Sequence, residues 1–296
     1  MQDRNWLCCA VTKAVRRAIT PGVIEEYHNK GCVHVKTLLT PDQVSLLRAG
    51  IDKMIQSLDP HSKIFSSGLQ HPNLFLDFRS FSRISEYQRF LFTAPLAAAA
   101  AKLLGSSEIR LYHDRLFSTG DGTHDSPHWH QDLPDYPIEH LKQTTAWMVV
   151  EPVPAHSRPK FVAGSHRWGW HIPRNLDPSE RSRWLLQGEL PDMPDIDSNP
   201  QLGILSFDPQ PGDVIFFDMH SIHSSPCIQP GTGFYSISTR FIGDNSVSQT
   251  SQDLETTQLS HPSVSVPISH FPCLWSDVDE PCLWSNADRL SEAPFD

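Results

Sequence analysis

The sequence predicts an α+β domain that is mainly β, with helices packed outside a core of sandwich or barrel type. Helix-period apolar patterning is confined to the chain before Gly105. After Gly105 the texture changes to short apolar or alternating runs punctuated by Pro, Gly, Asp and Ser, the mark of strands at turn-bounded spacing. The 25 prolines against 15 glycines favour irregular connections and short strands over a helical bundle.

The first clear element is a helix over 41–58. Thr40 is its N-cap and Pro41 its first residue, where a missing N–H costs nothing. Val44, Leu47, Ile51, Met54, Ile55 and Leu58 fall on one face at 3.6 spacing. An alanine-rich helical stretch follows over 86–104, ended by Gly105 and divided by Pro95. Strands are expected at 108–117, 144–151, 159–162, 213–218 and 234–242. Residues 245–270 are rich in Ser, Thr and Gln and read as a polar surface loop. Pro-Cys-Leu-Trp then occurs twice, at 272–275 and 281–284, so Trp275 and Trp284 are expected to anchor the tail to the core or to a partner subunit. The whole, 1–296, is expected to form a single domain with its core at about 31–245 and a loop and tail over 246–296.

A chain of this length buries roughly three-quarters of its unfolded surface and needs no covalent staples. Its formal charge of -10, from 34 acidic and 24 basic side chains, disfavours nucleic acid and anionic membranes, which demand a basic face. The six cysteines form no C-x-x-C pair, the N-terminus lacks an apolar signal-like run, and no apolar stretch reaches membrane-spanning length. A reduced, cytoplasmic setting is the expectation.

The most informative segment for chemistry is Ser126-Pro-His-Trp-His-Gln-Asp132. On a strand, His130 and Asp132 share a face while Gln131 turns away. Two histidines and one carboxylate on one face leave three coordination positions open, the ligand set of non-haem Fe(II). The third ligand is expected from Pro211-Gly-Asp-Val-Ile-Phe-Phe-Asp-Met-His-Ser-Ile-His223, where His220 and His223 compete. The pair His128-x-His130 would also suit a cupin-type zinc or manganese site. That pattern wants a glutamate some five residues on, and the nearest is Glu139, so His128 is read as a pocket residue. His113 and His124 also crowd this stretch, and His166 is read as structural.

Trp129-His-Gln-Asp132 followed by Gly212-Asp-x-x-x-Phe-Asp-x-x-x-x-His223 resembles the phytanoyl-CoA dioxygenase family. Other segments agree in order: Gly31-Cys-Val-His-Val35, Leu38-Leu-Thr-Pro-Asp-Gln-Val44, Trp147-Met-Val-Val-Glu-Pro-Val153, Phe161-Val-Ala-Gly-Ser-His-Arg-Trp168 and Ser236-Ile-Ser-Thr-Arg-Phe241. The resemblance implies a double-stranded β-helix, a jelly-roll relative of the cupins. It implies Fe(II)- and 2-oxoglutarate-dependent oxygenation with dioxygen, yielding succinate and carbon dioxide while hydrogen is abstracted from a substrate. The metal ligands it implies are His130, Asp132 and His223, with His220 at an arginine-like position.

The chain departs from the family at one point. An arginine expected eleven residues after His223, to hold the far carboxylate of 2-oxoglutarate, is Phe234 here, and no Lys or Arg occurs between 224 and 239. Lys142, Arg240 and Trp147 are therefore assigned to the cosubstrate, with Arg115 and Lys160 as further candidates. The principal expectation is a working dioxygenase. The alternatives are a catalytically weak accessory subunit of a heterodimeric oxygenase and a metal enzyme of another class on the same fold. The substrate is expected to be a small, hydrophobic, natural-product-like metabolite, held by Phe65, Leu74, Phe75, Leu76, Phe78 and the 133–142 loop. A homo- or heterodimer with a related oxygenase is possible on this reading.

Overall fold

Thr20 and Thr40 each precede a proline, and each starts a helix. In the computed structural model, Thr20 accepts from the Val23 N–H at 3.4 Å to cap α2 (Pro21–Lys30), which follows α1 (Gln2–Ala18). Gly31, at φ 77°, ends α2 and leads into β1 (Cys32–Val35). Thr40 and Gln43 form a reciprocal capping box at the start of α3 (Pro41–Gln56). The structure describes residues 2–57, 63–65, 74–78, 80–119, 129–132, 138–139, 142–173, 190–224, 234–244, 247–248 and 273–276.

The chain continues through β2 (Lys63–Phe65), β3 (Leu74–Phe78), α4 (Ser80–Arg83), α5 (Ser85–Thr93) and α6 (Leu96–Leu104). The stretch over 86–104 is divided at Pro95 as expected, and Gly105 closes α6 at φ 57°. The strands that follow are β4 (Glu108–Thr119), β5 (Trp129–His130), β6 (Ile138–Glu139), β7 (Gln143–Val149), β8 (Lys160–Val162), β9 (Ile204–Ser206), β10 (Val214–Phe217), β11 (His223–Ser224), β12 (Phe234–Gly243), β13 (Val247–Ser248) and β14 (Cys273–Ser276). All five strands expected from the sequence are present. Two helices before residue 41 were not expected, and the polar 245–270 segment contains β13, which pairs with β6. Leu58 and Trp284 lie outside the described residues.

An eight-stranded antiparallel sheet runs β1-β10-β7-β12-β4-β3-β2, with β14 also on β4, and a four-stranded sheet runs β5-β11-β8-β9. Together they form the jelly-roll core. The alternation of each strand divides the large sheet into two faces. Val33, Val214, Phe216, Ala146, Met148, Ile237 and Phe241 pack outward with Leu47, Ile51, Tyr87, Phe90 and the alanines of α6. The Tyr87 and Thr239 hydroxyls meet at 2.7 Å across this layer, and Tyr27 donates to the Gln143 carbonyl at 3.2 Å. Asp114 turns outward too, accepting from the Ser80 and Phe81 N–H groups at the start of α4. The inner face carries Cys32, Ile215 and Phe217, against which Phe161 of the small sheet packs. Trp275 is half-buried against the core, as expected for the first Pro-Cys-Leu-Trp segment. No helix among the described residues is long and apolar enough to cross a membrane.

The Gly-Asp pair of the second motif proves to be a turn-building device. Gly212, at φ 101°, lends its carbonyl to the Leu39 N–H, while buried Asp213 accepts from the Thr37 and Gln210 N–H groups and lies 2.9 Å from His34 Nε2. This clasp sets β10 beside β1 and so fixes where the chain turns toward β11.

Gly31 does the same at the other end of β10. Its carbonyl accepts from Asp218 N–H and from the Ser221 hydroxyl, and a Cβ there would meet His166 Nδ1 at 2.4 Å and Ser221 Oγ at 2.5 Å. Gly105 has the same left-handed backbone with nothing within 4 Å. Gly105→Ala should therefore cost only the left-handed penalty of about 1–2 kcal/mol. Gly31→Ala should cost clearly more, read as the larger fall in urea midpoint at unchanged slope.

Candidate metal centre

β5 and β11 are two residues long, and their register sets His130 directly opposite His223. The two imidazole centroids lie 4.2 Å apart. Asp132 Oδ1 is 4.0 Å from His130 Nε2 and 3.9 Å from His223 Nε2. One donor atom from each residue falls within 4.8 Å of the others, close enough to share one ion. The sequence reading places Asp132 beside His130 by strand alternation, but β5 stops at His130 and Asp132 arrives by another route. Its N–H instead donates to the Met219 carbonyl at 3.0 Å, which ties the bend after β5 to the bend before β11.

The aim of the Asp132 carboxylate comes from Arg240, on the inner face of β12. Arg240 donates to Oδ2 through Nη2 at 2.6 Å and Nε at 3.2 Å, leaving Oδ1 toward the two imidazoles. Arg240 is 1% exposed and Asp132 5%. Burial pulls the Asp132 carboxyl upward, but the Arg240 charge, helped by His223, His130 and Arg115, holds it well below the usual carboxylate range. That favours the carboxylate form, the form in which a carboxyl group binds a metal.

His223 Nδ1 lies 2.9 Å from the Ser221 carbonyl oxygen. A carbonyl only accepts, so Nδ1 carries the proton and the Nε2 lone pair faces Asp132 and His130. Burial, then the neighbouring His130, lowers this imidazole to about 4. Phe161 and Phe217 flank its ring at centroid distances of 5.8 and 4.8 Å. Gln131 turns away, as expected, donating to the Gly169 and His220 carbonyls and accepting from the His171 N–H.

The competing His220 does not join the group. Its Nδ1 is 3.0 Å from Asp218 Oδ1 and from Gln143 Nε2, and its ring stacks on Trp170 at 4.3 Å. His166 Nε2 faces the His28 carbonyl at 3.2 Å, a structural contact. His113 sits opposite Arg240 in the sheet register. His124, His128 and the 133–137 segment lie outside the described residues, as do the side chains of Phe65, Leu74, Phe75, Leu76 and Phe78.

The cosubstrate candidates separate in space. Lys142 donates to the Gly105 carbonyl and to Asp244 Oδ1, both at 2.7 Å, at the end of the sheet beneath α6. Lys160 is exposed on β8. Arg240 is bound to Asp132. Trp147 lies on the inner face, opposite Ser238 and Ile215, and packs beside both the Phe161–Phe217 cluster and Phe234. Phe234 itself is buried among Val149, Val153 and Trp147. The role of Arg240 as the partner of Asp132 was missed in sequence. The available signal was a lone arginine inside an otherwise uncharged strand, which needs a buried counter-charge.

Two imidazoles and one carboxylate converging inside a jelly roll are the ligand set of a non-haem Fe(II) centre. Residues 27–228 match the family model for phytanoyl-CoA dioxygenase (PhyH), and the chain belongs to that family. No curated protein sequence matches the chain. Among solved structures it is similar to the non-haem α-ketoglutarate-dependent carbocyclase SnoK from nogalamycin biosynthesis, at 16% identity and TM-score 0.63 over 86% of this chain and 96% of that one. The epimerase SnoN, solved with Fe3+, α-ketoglutarate and nogalamycin RO, is similar at 18% identity and TM-score 0.61, over 89% of this chain and 99% of that one. EctD from S. alaskensis, solved with 2-oxoglutarate and 5-hydroxyectoine, is similar at 17% identity and TM-score 0.59, over 76% and 77%. At these identities the solved structures speak to the fold.

Removing the guanidinium should strand a buried carboxylate. Arg240→Met is expected to destabilise the metal-free protein by about 3–5 kcal/mol and to weaken Fe(II) binding, by urea unfolding and by titration. Arg240→Lys should recover part of both, since it restores the charge without the two-point contact.

Proposed function

We propose that this chain oxidises a small, apolar metabolite of natural-product type by hydrogen abstraction, with iron held by His130, Asp132 and His223. The observation that carries this reading is the convergence of the three donor atoms inside the jelly roll, with Asp132 fixed from behind by Arg240. Bound iron, with 2-oxoglutarate and dioxygen, supplies an oxidant able to remove hydrogen from an unactivated carbon, releasing succinate and carbon dioxide.

The chain's own residues supply orientation and a dry surround. The Ser221 carbonyl holds the His223 tautomer, and Phe161 and Phe217 keep water from that side. The His130 side chain is 31% exposed, against 11% for His223 and 6% for Asp132, so substrate approaches from the His130 side. An apolar substrate is supported by the inner-face Trp147 and by the Phe- and Leu-rich 61–80 segment. SnoK and SnoN, which share the fold, come from biosynthesis of the natural product nogalamycin. Free thiols at Cys32 and Cys273 suit a reduced, cytoplasmic setting.

The burial of Phe234 in an apolar cluster favours one second reading, a weakly active chain that supports a related oxygenase as a heterodimer. The two readings differ in what the isolated chain does. The main reading expects succinate release on exposure of the Fe(II)- and 2-oxoglutarate-loaded chain to oxygen. The second expects almost none until a partner is added.

The ligand assignment is tested by calorimetric titration of anaerobic metal-free protein with Fe(II). His130→Ala, Asp132→Ala and His223→Ala should each abolish tight binding, whereas His220→Ala should bind as wild type. Undiminished affinity in the first three would refute the assignment.

A further inference from the structure

A 2-oxoglutarate dianion sets a charge requirement on the inner face of the large sheet. Its keto-acid end is neutralised at the metal, but its far carboxylate, inside the sheets, needs a cation of the protein. Phe234 and its neighbours Val149 and Val153 offer none. Among the described residues three arginines stand on the paired strands β4 and β12: Arg110, Arg115 and Arg240. Arg240 is bound to Asp132, and Arg110 is paired with Glu108 at the far end of the sheet.

Arg115 is placed differently. It lies opposite Ser238 on β12, in register with Trp147 on the other side of that strand, and shares the inner face with Arg240. Its guanidinium carbon is 5.8 Å from the centroid of the Phe117 ring, and Phe117 lies opposite Ser236. The charge is therefore carried along β4 away from the Arg240 level and toward the Phe234 end. Ser236 and Ser238, both buried, present their side chains on the same face.

We propose that Arg115 holds the far carboxylate of 2-oxoglutarate, so that the cation comes from β4 and not from the β12 position that Phe234 occupies. This rests on the iron and 2-oxoglutarate reading above and assigns a residue within it. A planar, two-point donor on a neighbouring strand can serve a carboxylate that a lysine at the sheet end, already paired with Asp244, does not reach. The substitution also explains how an apolar residue at 234 is compatible with a working site: the cation has moved across one strand pair.

The test is an anaerobic titration of the Fe(II)-loaded protein, following the visible charge-transfer band of the chelated keto acid. Two probes are used: 2-oxoglutarate, and 2-oxopentanoate, which has the same chelating end and no far carboxylate. Wild type should prefer 2-oxoglutarate by at least about tenfold. Arg115→Met should weaken 2-oxoglutarate on the order of 10–100-fold while leaving 2-oxopentanoate and Fe(II) affinity unchanged. Arg115→Lys should retain part of the preference. A Kd for 2-oxoglutarate in Arg115→Met within threefold of wild type would overturn the proposal, as would equal weakening of both acids, the result of a merely structural role. If Arg115→Met does not fold, wild-type protein that binds both acids equally overturns it instead. Absence of the band with either acid in Fe(II)-loaded wild type would contradict the iron and 2-oxoglutarate reading itself. A band in wild type with no effect of the variant contradicts the Arg115 assignment alone.

Discussion

The buried pair between Asp132 and Arg240 joins the parts of this protein that matter for chemistry. Asp132 belongs to a bend after a two-residue strand of the small sheet, while Arg240 stands in the middle of the large sheet. Two charges taken from water gain little against an apolar pair of the same size, but neither tolerates loss of the other. The pair is thus a geometric constraint more than a source of stability. It closes the two sheets on each other and leaves one carboxylate oxygen facing the two imidazoles.

Around that constraint, most of the remaining polar groups near the centre serve alignment. The Gln131 amide reaches the Gly169 loop and the His220 carbonyl, so the turn between Asp132 and His223 cannot drift independently. Asp218 accepts the His220 N–H, and Ser221 is tied to Gly31. The strands that carry the ligands are too short to hold a register by ladder bonds alone. Their precision comes from these loop contacts and from the Phe161 and Phe217 side chains packed against the His223 ring.

Local signals were readable in the sequence where the physics is local. The Thr40 N-cap, the division at Pro95 and the stop at Gly105 all depend on residues within one helical turn, and each appears where the sequence places it. The two histidines and the aspartate were readable because their spacing repeats a family pattern. What was not readable is long-range. Arg240 lies 108 residues from Asp132, and a lone arginine in an uncharged strand calls for a counter-charge without saying which one. Lys142 follows the ligand segment closely but is drawn to Asp244 and the end of α6, a contact across 102 residues. The helix over 2–18 was missed because its apolar residues are broken by Lys and Arg; among its described side chains, Val11 and Val15 reach the core.

Phe234 shows how a fold tolerates change at a position with a chemical task. The apolar cluster it forms with Val149, Val153 and Trp147 is compatible with the same jelly roll, so the sheet does not require an arginine there. The Asp132–Arg240 link has no such freedom, because a neutral substitution on one side leaves a buried, uncompensated charge on the other. The most direct measurement of that claim is a double-mutant cycle on the metal-free protein, with Asp132→Asn, Arg240→Met and the double variant compared by urea unfolding. The account predicts a coupling of at least about 2 kcal/mol, with the double variant more stable than the sum of the single losses allows. Additivity within about 0.5 kcal/mol would contradict it.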